Sequence, residues 1–215
     1  MHVTLLGATG KVGAPVLDEL VRRGHRVVAV CRDAGRLPTH GEDVDVCAGD
    51  VFDPEVLAGA VRDADVVVCS VALRDTPQRD RTPDELLRVV SRAAATAGAR
   101  LVTMGGAGSL RGPDGVDLVD RPEFPDLARP ESLGFRQALR DLRGDAPAGL
   151  VWSMLSPPMS IEVDADRTGV YRTADDTPVV DESGASRISA ADLAVALVDE
   201  VERAEHSGAR FTVAY

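Results

Sequence analysis

The sequence predicts an α/β fold, a doubly wound and mostly parallel sheet flanked by helices. Three observations carry that prediction. The chain opens on a strand, a glycine-rich turn and a helix in succession: His2–Leu6, then Gly7-Ala-Thr-Gly10-Lys-Val-Gly13, then Ala14–Arg23. Short apolar, β-branched runs then alternate with helix-patterned segments to the end of the chain, as repeated βαβ units do. Glycine-rich or polar loops follow those runs at 7–13, 31–36, 49–51, 70–72, 105–109 and 156–159, so they gather at the carboxyl edge of the sheet, where such folds bind ligands.

Composition narrows the class. A chain of 215 residues with 44% hydrophobic and 27% charged residues supports one well-cored soluble domain, expected over 1–215, with a small C-terminal elaboration on the substrate side. A net charge of −11 argues against a general nucleic-acid or anionic-membrane binder. No apolar run reaches bilayer length, and the start shows no basic, cleavable leader, so a cytoplasmic protein is expected. Cys31, Cys47 and Cys69 each end an apolar run and read as reduced buried thiols,. His2, His25, His40 and His206 are scattered, and no metal site is expected.

The elements follow in order. In the opening unit, Val12, Val16, Leu17, Leu20 and Val21 share one helix face,. Gly7 suits a tight turn, Gly10 a close approach of backbone to phosphate, and Gly13 close packing of helix on strand. The spacing is G-x-x-G-x-x-G rather than G-x-G-x-x-G, and a glycine loop alone is often only a loop. The strand before it and the helix after it make it a pyrophosphate site, with backbone N–H groups and a positive helix end. Arg26–Val30 is the second strand, followed by Arg32, Asp33 and Arg36. An acid at this place accepts the 2′-hydroxyl of NAD, whereas an arginine pairs with the 2′-phosphate of NADP. Arg32 and Arg36 favour NADP(H) over NAD(H); Asp33 is the counter-signal.

Val44–Val46 is a short third strand, and Asp50 follows it at the ligand edge. Asp53 caps a helix whose first residue is Pro54. Asp65–Cys69 is continuously apolar after its first residue, as a central parallel strand should be, and Ser70, Val71 and Ala72 lie at its end. Leu73–Arg81 is polar and turn-like. Thr82, Pro83 and Glu85 open a capped helix that Gly98 ends. Arg100–Met104 is a fifth strand and runs into Gly105-Gly106-Ala-Gly-Ser109, where backbone could lie close to a flat ligand. Residues 111–130 form a loop over the site, and Glu131–Arg143 a helix. Gly149–Leu155 is a sixth strand ending in Ser156-Pro157. A hairpin through Gly169–Arg172 and Pro178–Val180 is expected, then a helix from Ile188 with Ser189 as cap and Asp192 as box acid, and a last strand, Arg210–Tyr215.

Several of these pieces resemble the atypical short-chain dehydrogenase/reductase group that binds NAD(P)H, of the NmrA-like and biliverdin-reductase-B-like kind. More narrowly, they resemble the NADH-flavin reductase family. They are Gly7-Ala-Thr-Gly-Lys-Val-Gly13, Gly49-Asp-Val-Phe-Asp53, Gly105-Gly-Ala-Gly-Ser-Leu110, Trp152 through Ser156-Pro157, Arg187-Ile-Ser-Ala-Ala-Asp-Leu-Ala194 and Arg210-Phe-Thr-Val-Ala-Tyr215. The resemblance implies a Rossmann-like fold. It also implies pyrophosphate contacts from Thr9, Gly10, Lys11 and Val12, adenine contacts from Asp50 and Val51, and Arg32 at the ribose. Ser70, Val71 and Ala72 would line the cofactor; Gly105, Gly106, Ser156 and Pro157 would flank the nicotinamide.

The chain departs from that group in one respect. Short-chain dehydrogenases commonly move a proton with a Tyr-x-x-x-Lys pair. Here Lys11 is the single lysine, and tyrosine occurs only at 171 and 215. Alcohol–ketone and epimerase chemistry lose support. Hydride transfer to an electron-poor ring needs alignment more than acid–base help, so the expected activity is reduction of a flavin- or quinone-like acceptor by NADPH. Ser109, Ser156, Tyr171 and Arg172 are polar residues near the site, each better read as structural, and no catalytic residue is assigned. A non-catalytic NAD(P)-binding redox sensor of the NmrA-like kind is the alternative. The expected partner is the small acceptor, with a homodimer left open.

Overall fold

The computed structural model describes residues 1–37, 41–73 and 80–215. Most of the predicted turn at Leu73–Arg81, and His40, lie outside the described residues. The opening unit is β1 (His2–Leu6), α1 (Gly13–Arg22) and β2 (Arg26–Cys31). Next come β3 (Val44–Ala48), α2 (Pro54–Val61), β4 (Val66–Cys69), α3 (Pro83–Ala97), β5 (Arg100–Met104), α4 (Arg129–Asp145) and β6 (Trp152–Ser156). The chain closes with β7 (Ser160–Glu162), β8 (Arg172–Ala174), β9 (Arg187–Ser189), α5 (Ala190–Arg203) and β10 (Ala209–Ala214).

The main sheet runs β3-β2-β1-β4-β5-β6-β10-β8. Every neighbouring pair is parallel except β10 with β8. Its first six positions give the 3-2-1-4-5-6 order of a Rossmann-like, doubly wound fold, with the chain's reversal at β1/β4. A parallel sheet needs cover on both faces, and two apolar layers supply it. On one face α1 packs against α5, with Val16, Leu17, Leu20, Leu193, Leu197 and Phe211 buried among the odd-numbered β1 residues Val3 and Leu5. On the other, α2, α3 and α4 bury Leu57, Leu86, Leu87, Leu139 and Leu142 against Trp152 and Met154. All four residues of β4 are buried.

The predicted caps form. The Asp53 carboxylate accepts from Glu55 N–H at 2.9 Å, and Thr82 and Glu85 make a reciprocal capping box on α3. The Ser189 hydroxyl accepts from Asp192 N–H at 2.9 Å.

Four expectations need correction. The hairpin through 169–172 and 178–180 does not form; β8 pairs instead with β10, Thr212 opposite Ala174, while the Arg172 guanidinium donates to the Val180 carbonyl at 2.8 Å. Ile188 is not helical: it lies in β9, which pairs in parallel with β7. Asp192 does not close its capping box. Its carboxylate is fully buried and takes Thr168 N–H at 2.9 Å, Gly169 N–H at 2.6 Å and the Tyr215 hydroxyl at 2.6 Å. The Ser189 N–H goes to the Tyr215 hydroxyl oxygen instead. Cys47 is only half-buried, because β3 is an edge strand.

Candidate functional site

The carboxyl ends of β1, β2, β3 and β4 open into a cleft of about 360 Å³. Gly7, Thr9, Gly10 and Lys11 line it from the first loop; Cys31, Arg32 and Arg36 from the end of β2; Asp50, Val51 and Phe52 from the end of β3. Ser70, Val71 and Ala72 line it from the end of β4. Eleven of the seventeen predicted site residues therefore meet in one cleft.

The first loop has the geometry of a phosphate cradle. Gly7 sits at φ +86°, a left-handed conformation that L side chains rarely adopt. A Cβ on Gly13 would fall 2.0 Å from the Gly7 carbonyl oxygen and 2.9 Å from Ser70 Oγ, so only glycine lets α1 begin this close to β1. Backbone bonds from Gly10 N–H to the Gly7 carbonyl and from Ala14 N–H to the Gly10 carbonyl wind the loop into the helix. No side chain caps α1; in its first turn Ala14 N–H is taken by the Gly10 carbonyl and Pro15 has no N–H,. Val12 occupies the N-cap position and Gly13 the first helical one; neither forms part of the cleft wall.

The cleft wall after β2 carries two guanidinium groups. Arg32 and Arg36 are exposed on the cleft wall. The Asp33 carboxylate does not line the cleft; it accepts from Gly35 N–H at 3.0 Å, capping the turn Ala34–Arg36. The counter-signal for NAD is thus engaged in local structure. Asp50 folds its own turn by accepting from Phe52 N–H at 3.0 Å. The Ser70 hydroxyl donates to the Leu6 carbonyl at 3.0 Å, so that side chain ties β4 to β1 while its backbone borders the cleft. Burial pushes the Cys31 thiol up, and the Cys69 thiol up to about 11, consistent with inert reduced thiols.

The remaining predicted residues lie on the same sheet edge, beyond the cleft. Gly105 and Gly106 are buried. Their want of a side chain is explained by packing: a Cβ on Gly105 would come 2.8 Å from Met154 Cγ, and one on Gly106 3.0 Å from Phe135 Cβ. Ser156 is fully buried and accepts from the Arg210 guanidinium at 3.4 Å, as Ser109 does at 3.3 Å. Pro157 is half-buried at the strand's end. Tyr171 faces away, donating from its hydroxyl to Asp199 on α5, and Arg172 clamps the Val180 and Tyr215 carbonyls.

Sequence reasoning missed three features. Phe52 and Leu73 line the cleft as apolar walls; both read as ordinary packing residues in the sequence. Glu131 on α4 lines it too, brought there from some sixty residues away by the packing of α4 on α3. Arg210 is buried beneath the β5 and β6 ends, paired with Asp176; burial alone would raise the Asp176 carboxyl, but Arg210 and Arg143 hold it below its ordinary value. Among the described residues no cluster of three or more His, Cys, Asp or Glu is placed to hold a metal ion, and no helix is long and apolar enough to cross a membrane.

Comparison with known proteins agrees with this geometry. Residues 7–202 match the NAD(P)H-binding family. The uncharacterized protein YwnB of Bacillus subtilis is 35% identical, over 99% of this chain and 98% of its own. A solved structure named as a putative NADH-flavin reductase, from Streptococcus pneumoniae, is 29% identical with a TM-score of 0.83, covering 100% of this chain and 99% of that one. Another, named as a putative epimerase, from Bacteroides thetaiotaomicron, is 30% identical with a TM-score of 0.90, covering 100% of this chain and 96% of that one.

Proposed function

From the premise that the chain belongs to the NAD(P)H-binding family, we propose that it is a reductase using NADPH to reduce a flavin- or quinone-like acceptor without a tyrosine–lysine pair. The observation that carries the preference for NADPH is the pair Arg32 and Arg36 on the cleft wall, with the Asp33 carboxylate turned to Gly35. Two guanidinium groups at the end of β2 match a 2′-phosphate by charge and by planar fork. Lys11 and the uncapped start of α1 would take the pyrophosphate,.

The bound dinucleotide supplies the hydride. The chain aligns the two rings. The helix that follows the β5 loop, α4, carries neither tyrosine nor lysine, so it has no pair to protonate an alkoxide. An acceptor ring that gains charge on a nitrogen or oxygen can take its proton from solvent. The name of the Streptococcus pneumoniae structure supports a flavin as the acceptor class.

Steady-state oxidation of NADPH in the presence of free flavins and quinones tests the proposal. Saturable turnover with at least one acceptor, faster with NADPH than with NADH, is expected. Tight NADPH binding with no turnover of any acceptor would overturn it. That outcome would favour the second reading, a nucleotide-sensing regulator, which the missing pair also fits.

A further inference from the structure

We infer that Glu131 is a cofactor-binding residue whose carboxylate accepts hydrogen bonds from the ribose hydroxyls of the nicotinamide half. The inference rests on the proposed reading of the cleft as a dinucleotide site.

The sheet order fixes which half Glu131 can reach. The phosphate loop follows β1. Arg32, Arg36, Asp50 and Phe52 follow β2 and β3 and lie to one side of it. Ser70 to Leu73 follow β4 and lie to the other side, and Glu131, on the helix packed against α3, lines the same cleft. Its neighbours on α4 hold it there. A Cβ on Gly108, in the loop after β5, would come 2.7 Å from Ser132 Cβ, and one on Gly134 would come 2.4 Å from Pro83 of α3. With the adenosine at Arg32 and the pyrophosphate at Gly10 and Lys11, the second nucleoside passes along residues 70–73 toward Glu131.

The charge limits what the carboxylate can be for. A carboxylate beside phosphates repels them and weakens binding. As an acceptor it suits a part of the ligand that offers donors and carries no negative charge. On that side of the pyrophosphate the ribose diol is such a group. A carboxylate accepting from a ribose hydroxyl is the chemistry an acid at the end of β2 provides in NAD-binding folds, and a charged acceptor makes the stronger bond. Glu131 is half-buried, so the bond would form in a partly water-excluded wall.

Titrations of the wild-type chain, Glu131→Gln and Glu131→Ala with two ligands test this. One ligand is NADPH. The other is adenosine 2′,5′-bisphosphate, which has the phosphorylated adenosine but no second ribose. The alanine variant should bind NADPH about tenfold more weakly, the glutamine variant less so, because its carbonyl still accepts. Both variants should bind the bisphosphate as the wild type does or slightly more tightly, since a negative charge is gone, which also shows that they fold. NADPH affinity unchanged or improved in Glu131→Ala, or lost equally for both ligands, would overturn the inference while leaving the cofactor reading intact. A wild-type chain that binds neither ligand would overturn the cofactor reading itself, and this inference with it.

Discussion

Arg32 and Asp33 are adjacent and point to different cofactors, and the proposed preference for NADPH rests on the local hydrogen bond that engages Asp33. The Asp33 carboxylate caps the turn that carries Arg36, so it helps to hold one of the two arginines rather than competing with them. Arg32→Ala should weaken NADPH binding between about tenfold and about a hundredfold, the range for a lost charge-assisted contact. NADH binding, measured by the same fluorescence titration, should stay within about twofold. Gly13 makes a second prediction at this scale. A methyl group there meets the Gly7 carbonyl oxygen at 2.0 Å, and backbone cannot yield as a flexible side chain can. Gly13→Ala should cost about 1–3 kcal/mol in denaturant unfolding and abolish cofactor binding, because the loop and the start of α1 must part. The role of Gly13 was legible from its place in a glycine turn between a strand and a helix. The burial of Gly105 and Gly106 against Met154 and Phe135 was not, since a glycine kept for side-chain packing and one kept for a ligand look the same in a sequence.

At the scale of elements, α1 joins the site to the rest of the molecule at both ends. Its start forms the phosphate cradle. Near its end, Glu19 is buried beneath Arg22, Arg23 and Arg167, and Arg23 reaches Asp199 and Glu202 on α5 at 2.7 and 2.6 Å. Burial acts to raise the Glu19 carboxyl, but the three arginines outweigh it and bring it from 4.5 down to about 2. A lowered carboxyl adds stability that is present above its unfolded value and is lost as pH falls through the folded one. Urea unfolding should therefore show stability falling from about pH 4.5 toward pH 2, and Glu19→Gln should be less stable at neutral pH with a shallower fall in that window.

The other end of the chain has a comparable lock. The Tyr215 hydroxyl donates to buried Asp192 and accepts from Ser189 N–H. Tyr215→Phe would leave both without that partner and should cost about 1–3 kcal/mol, read by the same unfolding measurement. These contacts explain which elements the sequence disclosed. Helix faces and caps are local patterns, and α2, α3 and α5 start where Asp53, Thr82 and Ser189 say they should. The pairing of β8 with β10, and of β7 with β9, joins three residue pairs each across some twenty-five to forty positions. No turn signal encodes such pairs. The expected hairpin failed because Pro178–Val180 looked like a strand by composition, while β10 offered the open edge.

At the scale of the whole molecule, the alternation of strands and helices dictated the doubly wound sheet, and the sheet dictated which loops share an edge. That is why most of the cleft could be named from the sequence. Glu131 could not, because its place depends on how α4 crosses α3, a matter of side-chain fit at Gly134 and Pro83. The fold thus sets two arginines on the cleft wall after β2 and, on the side of β4 and α4, residues that include neither tyrosine nor lysine. For the proposed reaction such a wall suffices: the chain would orient a hydride transfer and lend it no proton. Single-turnover oxidation of NADPH and of its C4-deuterated form by a flavin acceptor, followed across pH, tests this most directly. A primary isotope effect is expected, with a rate independent of pH between about pH 6 and 9 and no titrating protein group in the step. A rate that rises or falls through that range with the titration of a protein side chain, or no oxidation of bound NADPH, would contradict it.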